Sequence, residues 1–313
     1  FPMDMIYNGS FASSSVSIQN NDIRGIVNSV TSTAIVTLIN CPGPSLLSTN
    51  ISNNTFTNLS INSSSQVTLI SRTSNLTAGS SVTVNNNSIV GTFSKTAPGD
   101  ILSMYSSTNL SVNGSATTIT GNNFSNVSLT GSTTFYGIRE TDGASAASSP
   151  NKTISGNTIN NIIMGSGLFY GVLIDKSPIL NISSNTISNV SSDGITSGIV
   201  VLINSGATSC TISSNTINTL NSTAENVYGI ISTSAAPALT VHKNKITGLS
   251  SGGSNKMVNG MLFSNGTVTA YNNFVASLQA GNANLADAVR GISVASSTAG
   301  TSYNLYYNSI YIN

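Results

Sequence analysis

The sequence predicts an all-β protein folded as a right-handed parallel β-helix, which is a solenoid of about ten coils. Three observations support this fold class. A motif centred on Asn recurs ten times, a Gly-apolar motif recurs between its copies, and no stretch has the periodicity of a helix. Short stretches rich in β-branched residues form strands. A unit of roughly 32 residues that repeats along a chain indicates stacked structural repeats.

The first motif is clearest around Asn157, Asn185 and Asn215, where it reads Ile-Ser-Gly/Ser-Asn-Thr-Ile. Two positions after the Asn of every copy stands Ile or Phe. Three positions before it the residue is apolar in nine copies, with Thr269 as the exception. Apolar residues at such fixed positions indicate a structural repeat. The ten Asn residues are Asn21, Asn54, Asn87, Asn122, Asn157, Asn185, Asn215, Asn244, Asn272 and Asn308.

In a parallel β-helix this Asn has two expected roles. A tight turn between two faces of a coil needs left-handed backbone geometry, which Asn adopts more readily than other residues except Gly. Equivalent Asn side chains are also expected to hydrogen-bond along the axis as a ladder. The alternative interpretation is a row of ligand-binding Asn side chains. The Ile or Phe that follows, such as Ile187, is predicted to fill the lumen, and Ser192 to lie in an outer loop.

The second motif is a Gly followed by apolar residues, as in Tyr170-Gly171-Val172, and it supplies another strand to each unit. Stretches such as 142–150 and 250–254 have the composition of loops. Each unit suits one coil, and parallel crossovers are right-handed. Helical repeats, leucine-rich repeats and propeller blades are disfavoured because the sequence lacks their motifs. The motif glycines are Gly137, Gly171, Gly198, Gly229, Gly260 and Gly291.

Composition limits the function. Only 6% of the residues are charged and the net charge is +1, whereas Ser, Thr and Asn make up about 43%. Nucleic acid is not expected as a partner, because phosphate binding requires a clustered basic surface. No apolar run is long enough for a transmembrane segment. Small polar residues suit the outer face of a stacked sheet, where a column of like charges would repel itself.

The whole chain, residues 1–313, is predicted to be a single β-helix domain. Neither Phe1 nor Asn313 is accompanied by a polar cap or an amphipathic helix, and solenoids need capping units. We therefore expect a segment of a longer protein, with flanking coils or domains of the same polypeptide as partners. Cys41 and Cys210 are predicted to lie about five coils apart, too far for a disulfide, as small buried residues.

Two sequence patterns resemble a known group of proteins. Residues 305–313 read Leu-Tyr-Tyr-Asn-Ser-Ile-Tyr-Ile-Asn, and the units around Asn185 and Asn215 read Ile-Ser-Ser-Asn-Thr-Ile. The first resembles repeats of very large secreted surface proteins of Bacteroidetes. The second resembles that group and the right-handed β-helix repeats of pectate-lyase-like proteins. The resemblance implies type IX secretion and an extracellular or cell-surface location, with surface glycans or other cell-surface proteins as partners.

Groups that could carry chemistry are scarce, since nine carboxylates are spread over the predicted ten coils. The one tight concentration is Arg139, Glu140 and Asp142, with Asp175 and Lys176 at about the equivalent place one coil later. In stacked coils Glu140 or Asp142 is expected about 5 to 10 Å from Asp175, which suits paired acid–base carboxylates or a cation site. The alternative is ordinary charge-paired loop ends.

The preferred hypothesis is a non-enzymatic structural or adhesive module of a secreted or cell-surface protein, such as an adhesin, stalk or extracellular filament. No cofactor or resident metal is predicted, and His242 suits an outward polar position better than a general base. The alternative is a polysaccharide lyase or glycoside hydrolase with Glu140, Asp142 and Asp175 as catalytic residues. A third hypothesis, ice binding through a flat Thr array, is disfavoured because no Thr position is seen to recur coil after coil.

Overall fold

A computed structural model describes residues 3–9, 14–25, 31–42, 47–203, 206–233, 238–296 and 299–312. The fold is the predicted all-β parallel solenoid, and no helix occurs among these residues. Each coil contributes one strand to each of three parallel sheets, and each sheet has ten strands. The solenoid therefore has about nine full turns, close to the predicted ten coils. Phe1 and Asn313, the ends of the predicted domain, lie outside the described residues.

The strands are short, and only turns and loops separate them within the described ranges. In chain order they are β1 (Met3–Tyr7), β2 (Ser15–Gln19), β3 (Asp22–Arg24), β4 (Val36–Cys41), β5 (Ser48–Ser52), β6 (Thr55–Ile61), β7 (Val67–Arg72), β8 (Ser81–Asn85), β9 (Ser88–Lys95), β10 (Ile101–Ser107), β11 (Ala116–Thr120), β12 (Val127–Leu129), β13 (Thr134–Glu140), β14 (Asn151–Ser155), β15 (Thr158–Ile163), β16 (Phe169–Ile174), β17 (Ile179–Ser183), β18 (Thr186–Ser192), β19 (Thr196–Val201), β20 (Ser209–Ser213), β21 (Thr216–Ser222), β22 (Val227–Ser232), β23 (Leu239–His242), β24 (Lys245–Ser251), β25 (Val258–Phe263), β26 (Thr267–Tyr271), β27 (Phe274–Ala280), β28 (Val289–Val294), β29 (Ser302–Tyr306) and β30 (Ser309–Tyr311).

Every third strand belongs to the same sheet. The first sheet runs from β1 to β28, the second from β2 to β29 and the third from β3 to β30, in steps of three strands. Each strand thus pairs with its equivalent one coil above and below. Nine such steps of about 4.8 Å give a rod about 43 Å long.

Side chains alternate between the lumen and the outer face, because successive residues of a strand point to opposite sides. In β17, Leu180 and Ile182 are buried while Asn181 between them is exposed. The strand register places Ile182 between Ile154 and Ile212 of the neighbouring coils. Identical lumenal residues therefore stack in columns, and the buried apolar residues form one continuous cluster along the rod.

The predicted Asn ladder is present. The amide nitrogen of Asn157 donates to Oδ1 of Asn185 at 2.9 Å and to the backbone carbonyl of Ile119 at 2.9 Å. The same Oδ1 accepts the backbone N–H of Asn157 at 3.0 Å. Asn157 and Asn185 are each only 1% exposed. The ladder residues are Asn21, Asn54, Asn87, Asn122, Asn157, Asn185, Asn215, Asn244, Asn273 and Asn308.

In the ninth unit the prediction was wrong by one residue, because the ladder contains Asn273 and not Asn272. Asn244 donates to Oδ1 of Asn273 at 2.9 Å. The lumenal residue two positions later is consequently Val275, which is fully buried, whereas Phe274 is 42% exposed. The corrected register also places the buried Ala270 three positions before the Asn, so the exception in the apolar pattern disappears.

The left-handed turn was assigned to the wrong residue. In every coil the positive φ belongs to the residue before the ladder Asn, as at Ser184 (57°) and Lys243 (57°). The ladder position requires Asn for its carboxamide, which donates and accepts hydrogen bonds at once. The left-handed residues are Asn20, Asn53, Asn86, Gly121, Gly156, Ser184, Ser214, Lys243, Asn272 and Tyr307.

The two sequence motifs meet across the lumen. A Cβ at Gly137 would lie 2.5 Å from the carbonyl oxygen of Gly171 and would also collide with Cδ1 of Ile159 on the opposite wall. At Gly171 a Cβ would lie 2.6 Å from the carbonyl oxygen of Gly198 and 2.7 Å from Cδ1 of Ile187. Only Gly leaves room for this close approach. The Gly of one motif therefore accommodates the Ile of the other.

A matched pair of substitutions in β18 tests the lumen assignment. Ile187 is fully buried, whereas Ser191 on the same strand is exposed. Ile187→Asp is expected to lower the free energy of unfolding by about 4 kcal/mol or more, because it buries an unpaired carboxylate. Ser191→Asp should change it by about 0.5 kcal/mol or less. Urea unfolding followed by circular dichroism measures both, and equal midpoints would contradict the assignment.

Ser192, which the sequence placed in an outer loop, cannot serve as the exposed control. It is the last residue of β18 and only 1% exposed, and its hydroxyl accepts the backbone N–H of Gly194 at 2.9 Å. The prediction for Ser192 was therefore wrong. The reason is that the alternation of β18 continues one residue further than the sequence pattern indicates.

Candidate functional site

The acidic residues that the sequence groups together lie in two different environments. Glu140, at the end of β13, and Asp142 are fully buried. Asp175, one coil later, keeps 30% of its side chain exposed and forms an ion pair with Lys176 at 3.6 Å. The structure therefore places two of the three candidate catalytic residues in the interior and the third on the outer wall, where it resembles a charge-paired loop end.

Glu140 and Asp142 belong to a buried ionic cluster that consists of Arg72, Tyr105, Glu140, Asp142 and Lys152. The guanidinium of Arg72 forms a hydrogen-bonded ion pair with Asp142, and its Nη2 lies 4.0 Å from Oε1 of Glu140. Nζ of Lys152 lies 3.4 Å from the same Oε1 and donates to the backbone carbonyl of Asp142 at 2.9 Å. The hydroxyl of Tyr105 donates to Oε2 of Glu140 at 3.0 Å. Two cations and two carboxylates thus neutralise each other inside the rod.

Burial and charge act in opposite directions on this cluster. Burial alone would raise the pKa of Asp142, but the Arg72 guanidinium and hydrogen bonds to the carboxylate outweigh it and hold that pKa below its ordinary value. Burial lowers the pKa of Lys152, although Glu140 and Asp142 oppose the change. Burial is also the main reason that the pKa of the Tyr105 phenol is raised, so this group stays protonated and can donate.

A closed network of this kind is poorly suited to acid–base catalysis. A general acid or base must come within hydrogen-bonding reach of its substrate. The carboxylates of Glu140 and Asp142 have no exposed side-chain surface, and their partners are protein groups. In the folded rod the cluster can therefore neutralise buried charge and link neighbouring coils, while a polymeric substrate cannot reach it.

The sequence did not reveal the cationic half of the cluster. In the first sheet, Cys41, Arg72, Ser107 and Glu140 occupy successive positions of one inward column. The signal that would have found Arg72 is its register with Glu140 two coils later. The first four coils lack the motif glycine, so this register cannot be read from the sequence pattern. Lys152 reaches the cluster from the second sheet.

Two other polar residues singled out from the sequence face outward. Cζ of Arg139 lies 5.0 Å from the ring centroid of Tyr136, in cation–π contact. His242 lies on the second sheet, stacked on Tyr271 with ring centroids 4.9 Å apart. Burial, together with the charge of Lys243, lowers the pKa of His242. Each of the two side chains is thus held against an aromatic ring on the outer wall.

The cysteines are unbonded, as predicted. Cys41 lies in β4 of the first sheet and Cys210 in β20 of the second, and both side chains are buried. Burial raises the pKa of each thiol to about 12. Because the thiolate is the reactive form of cysteine, neither residue is suited to nucleophilic or redox chemistry near neutral pH.

A Thr column on the second sheet was missed. The register aligns one outward position of every strand from β8 to β26, and Thr occupies it in six of these seven strands, with Asn181 as the exception. The reason given against ice binding, that no Thr position recurs, was therefore wrong. The column residues are Thr83, Thr118, Thr153, Thr211, Thr240 and Thr269.

Within the described ranges no group of three or more His, Cys, Asp or Glu side chains is placed to hold a metal ion. Nor do the described residues include a helix with the length and apolarity that crossing a membrane requires. Comparison with known proteins gave no match to a family model, a curated protein or a solved structure. The resemblance to secreted Bacteroidetes repeats therefore depends on the sequence motifs alone.

The buried cluster predicts an unequal response to two Asp substitutions. Asp142→Ala leaves the buried Arg72 guanidinium without its main partner, and we expect a loss of about 3 to 5 kcal/mol in the free energy of unfolding. Asp175→Ala removes a partly exposed ion pair and should cost about 1 kcal/mol or less. Urea unfolding at pH 7 compares the two variants, and similar losses would contradict the assigned burial.

The buried Asp142 carboxylate also predicts that the stability of the protein depends on pH. Because the pKa of Asp142 is lowered in the folded state, its ionised form contributes stability above the pKa of an unfolded Asp, about 4, and this contribution is lost as the pH falls through the lower folded-state value. The difference in stability between the wild type and Asp142→Ala should therefore shrink in acid. A difference that stays constant down to pH 2 would contradict this origin.

Proposed function

We propose that this chain is a structural or adhesive module of a secreted or cell-surface protein, a rod that holds or displays rather than catalyses. The observation that carries the proposal is the neutrality of its outer surface. Eight charged residues form four partly exposed ion pairs, and the six other charges at the surface are three carboxylates and three cations, namely Asp4, Asp100, Asp193, Arg139, Lys243 and Lys245. Five further charged side chains are buried, namely Arg72, Lys95, Glu140, Asp142 and Lys152.

The internal bonding also suits a rod that withstands mechanical tension. In a solenoid each coil is stabilised by contacts with its neighbours. Here the Asn ladder and the lumenal columns connect every described coil to the next. Such continuity favours a stalk, adhesin or filament segment. The proposed location is extracellular, after type IX export, with further coils or domains of the same polypeptide as its neighbours.

The enzymatic alternative, a polysaccharide lyase or glycoside hydrolase, is less well supported. A glycoside hydrolase needs a pair of carboxylates on either side of a bound sugar, and a lyase needs a base within hydrogen-bonding reach of its substrate. Of the three candidates only Asp175 is partly exposed, and it is paired with Lys176. The burial of Glu140 and Asp142 therefore favours the non-catalytic proposal.

Retention under flow tests the adhesive proposal. Beads coated with the native protein are passed over films of cellulose, chitin, starch and mucin, and heat-unfolded protein on matched beads is the control. We expect native beads to be retained several-fold better on at least one film, because the proposed binding surface exists only in the folded rod.

The same films serve to test the enzymatic alternative. The liquid above them is assayed for reducing ends and for unsaturated uronic-acid ends, and none is expected. Equal retention of native and unfolded beads would contradict adhesion. Released oligosaccharides that disappear with Glu140→Gln, when circular dichroism shows this variant to be folded, but not with the surface control Ser191→Asp, would establish catalysis instead.

Ice binding is a second candidate function, because the Thr column lies on a face without formal charge. Six Thr residues and Asn181 repeat at about 4.8 Å per coil. The seven strands β8, β11, β14, β17, β20, β23 and β26 carry one Lys, Arg, Asp or Glu, the buried Lys152. A regular row of hydroxyl and methyl groups can order water at such a surface.

A single bulky substitution tests this candidate. Thr153→Tyr interrupts the column, and Ile163→Tyr at an exposed position of the neighbouring third sheet is the matched control. If the column binds ice, the wild type and Ile163→Tyr should inhibit ice recrystallisation, while Thr153→Tyr should lose most of that inhibition. Ice growth unaffected by the wild type would exclude this function.

A further inference from the structure

The outer face of the first sheet carries a gap between two tyrosines, which we name the tyrosine slot. The register aligns Tyr136, Tyr170, Ser197 and Tyr228 on four successive coils in one outward column. Tyr136 and Tyr170 stack with ring centroids 5.2 Å apart and planes 13° from parallel. Because the next coil offers only Ser197, the row of rings is interrupted by the space of one ring before Tyr228.

This space is a cavity of about 250 Å³. Tyr170 and Tyr228, both partly exposed, stand at its two ends, and Ser197 lies between them. Aliphatic side chains complete the lining, with Ile195, Val200 and Leu202 from the coil of Ser197, Leu173 from the preceding coil and Ile231 from the following coil. No charged side chain lines the cavity, so an anionic or cationic ligand would find no partner in it.

The dimensions suit one six-membered ring. Two coil steps place Tyr170 and Tyr228 about 10 Å apart along the axis. A ring in van der Waals contact with both needs about 3.5 to 4.0 Å on each side, and the thickness of a puckered ring takes up part of the remainder. The slot is thus wide enough for a single ring and too narrow for two stacked rings.

The polar groups of the column favour a hydroxylated ring over a hydrocarbon one. Ser197 is only 3% exposed and lines the cavity, and no described residue forms a hydrogen bond with its hydroxyl. An aromatic or prolyl side chain in the slot would cover this hydroxyl without pairing it, which is unfavourable. The unpaired hydroxyl of Ser197 therefore calls for a ligand that carries hydroxyls of its own.

We propose that the tyrosine slot binds one neutral pyranose ring of a glycan chain. The C–H faces of the sugar stack on the rings of Tyr170 and Tyr228, and one sugar hydroxyl hydrogen-bonds with Ser197. Burial raises the pKa of both tyrosines, so their hydroxyls stay protonated and neutral at physiological pH. This inference rests on the proposed adhesive function for its biological setting, and it adds the class of ligand and the place where that ligand binds.

Filling the slot is the sharpest test. Ser197→Tyr inserts the missing ring and should continue the row of stacked tyrosines without loss of stability. Asn181→Tyr, which adds the same side chain at an exposed position of the second sheet, is the matched control. Tyr170→Ala removes one wall and provides a second variant, and circular dichroism melting establishes that each variant is folded.

The probes are cellohexaose, maltohexaose, mannohexaose and N-acetylchitohexaose, with a charged oligogalacturonate and p-cresol for comparison. Saturation-transfer NMR and tyrosine fluorescence report binding. The tyrosine emission is not masked by Trp, because the chain contains none. We expect the wild type and Asn181→Tyr to bind at least one neutral hexasaccharide. Ser197→Tyr and Tyr170→Ala should each weaken that binding at least tenfold.

Three results would overturn the proposal: no neutral hexasaccharide binds at millimolar concentration, folded Ser197→Tyr binds as tightly as the wild type, or p-cresol binds the slot in place of saccharides. These outcomes are separable from failure of the adhesive function. If beads coated with Ser197→Tyr adhere like wild-type beads, the adhesive function stands and the slot is excluded as the site of adhesion. If soluble saccharides bind but beads are not retained, the slot stands as a saccharide site and the adhesive function fails.

Discussion

The register between neighbouring coils is the constraint on which the rest of this structure depends, and the Asn ladder sets it. Each buried carboxamide joins groups on adjacent coils. That of Asn157 donates to Oδ1 of Asn185 and to the backbone carbonyl of Ile119, and it accepts from the backbone N–H and the side-chain amide of Asn122. A slip of one residue would leave such an amide buried without partners, which costs about 1 to 3 kcal/mol for each group. It would also turn every lumenal side chain of the strand toward water. The hydrogen bonds of the Asn ladder and the burial of the lumenal side chains therefore favour the same register.

Fixed register explains why the chain is almost free of charge. Any residue type that recurs in one column meets its own kind about 4.8 Å away, which suits Ile, Thr and Asn and penalises like charges. Four of the five buried charges occur as opposite signs on nearby coils, while the fifth, Lys95, donates to the backbone carbonyl oxygens of Ala97 and Gly99. Arg72 and Glu140 share one column with Ser107 between them. The buried ionic cluster thus brings charge into the lumen, but it too avoids like charges at neighbouring positions of a column.

Regular columns also give a simple way to build a binding site. A row of large outward residues with one small member has a gap whose walls are the large neighbours, and no loop or domain boundary is needed. The position of Ser197 between Tyr170 and Tyr228 follows this principle. Both candidate interaction surfaces of this rod, the tyrosine slot and the Thr column, are therefore properties of columns and not of any single coil.

The sequence by itself determined the all-β solenoid, its approximate number of coils, the Asn ladder in nine of its ten positions and the unbonded cysteines. These features repeat in every coil, so the periodic pattern contains them. The ninth position was missed because Asn272 and Asn273 are both followed two positions later by a large apolar residue, although the apolar Ala270 three positions before Asn273 was a signal in its favour. Only the tertiary structure decided the burial of Glu140 and Asp142 and the existence of the tyrosine slot. The physical reason is that these depend on which residues meet one or two coils away, at sequence separations of about 30 to 70 residues, where irregular loop lengths hide the register.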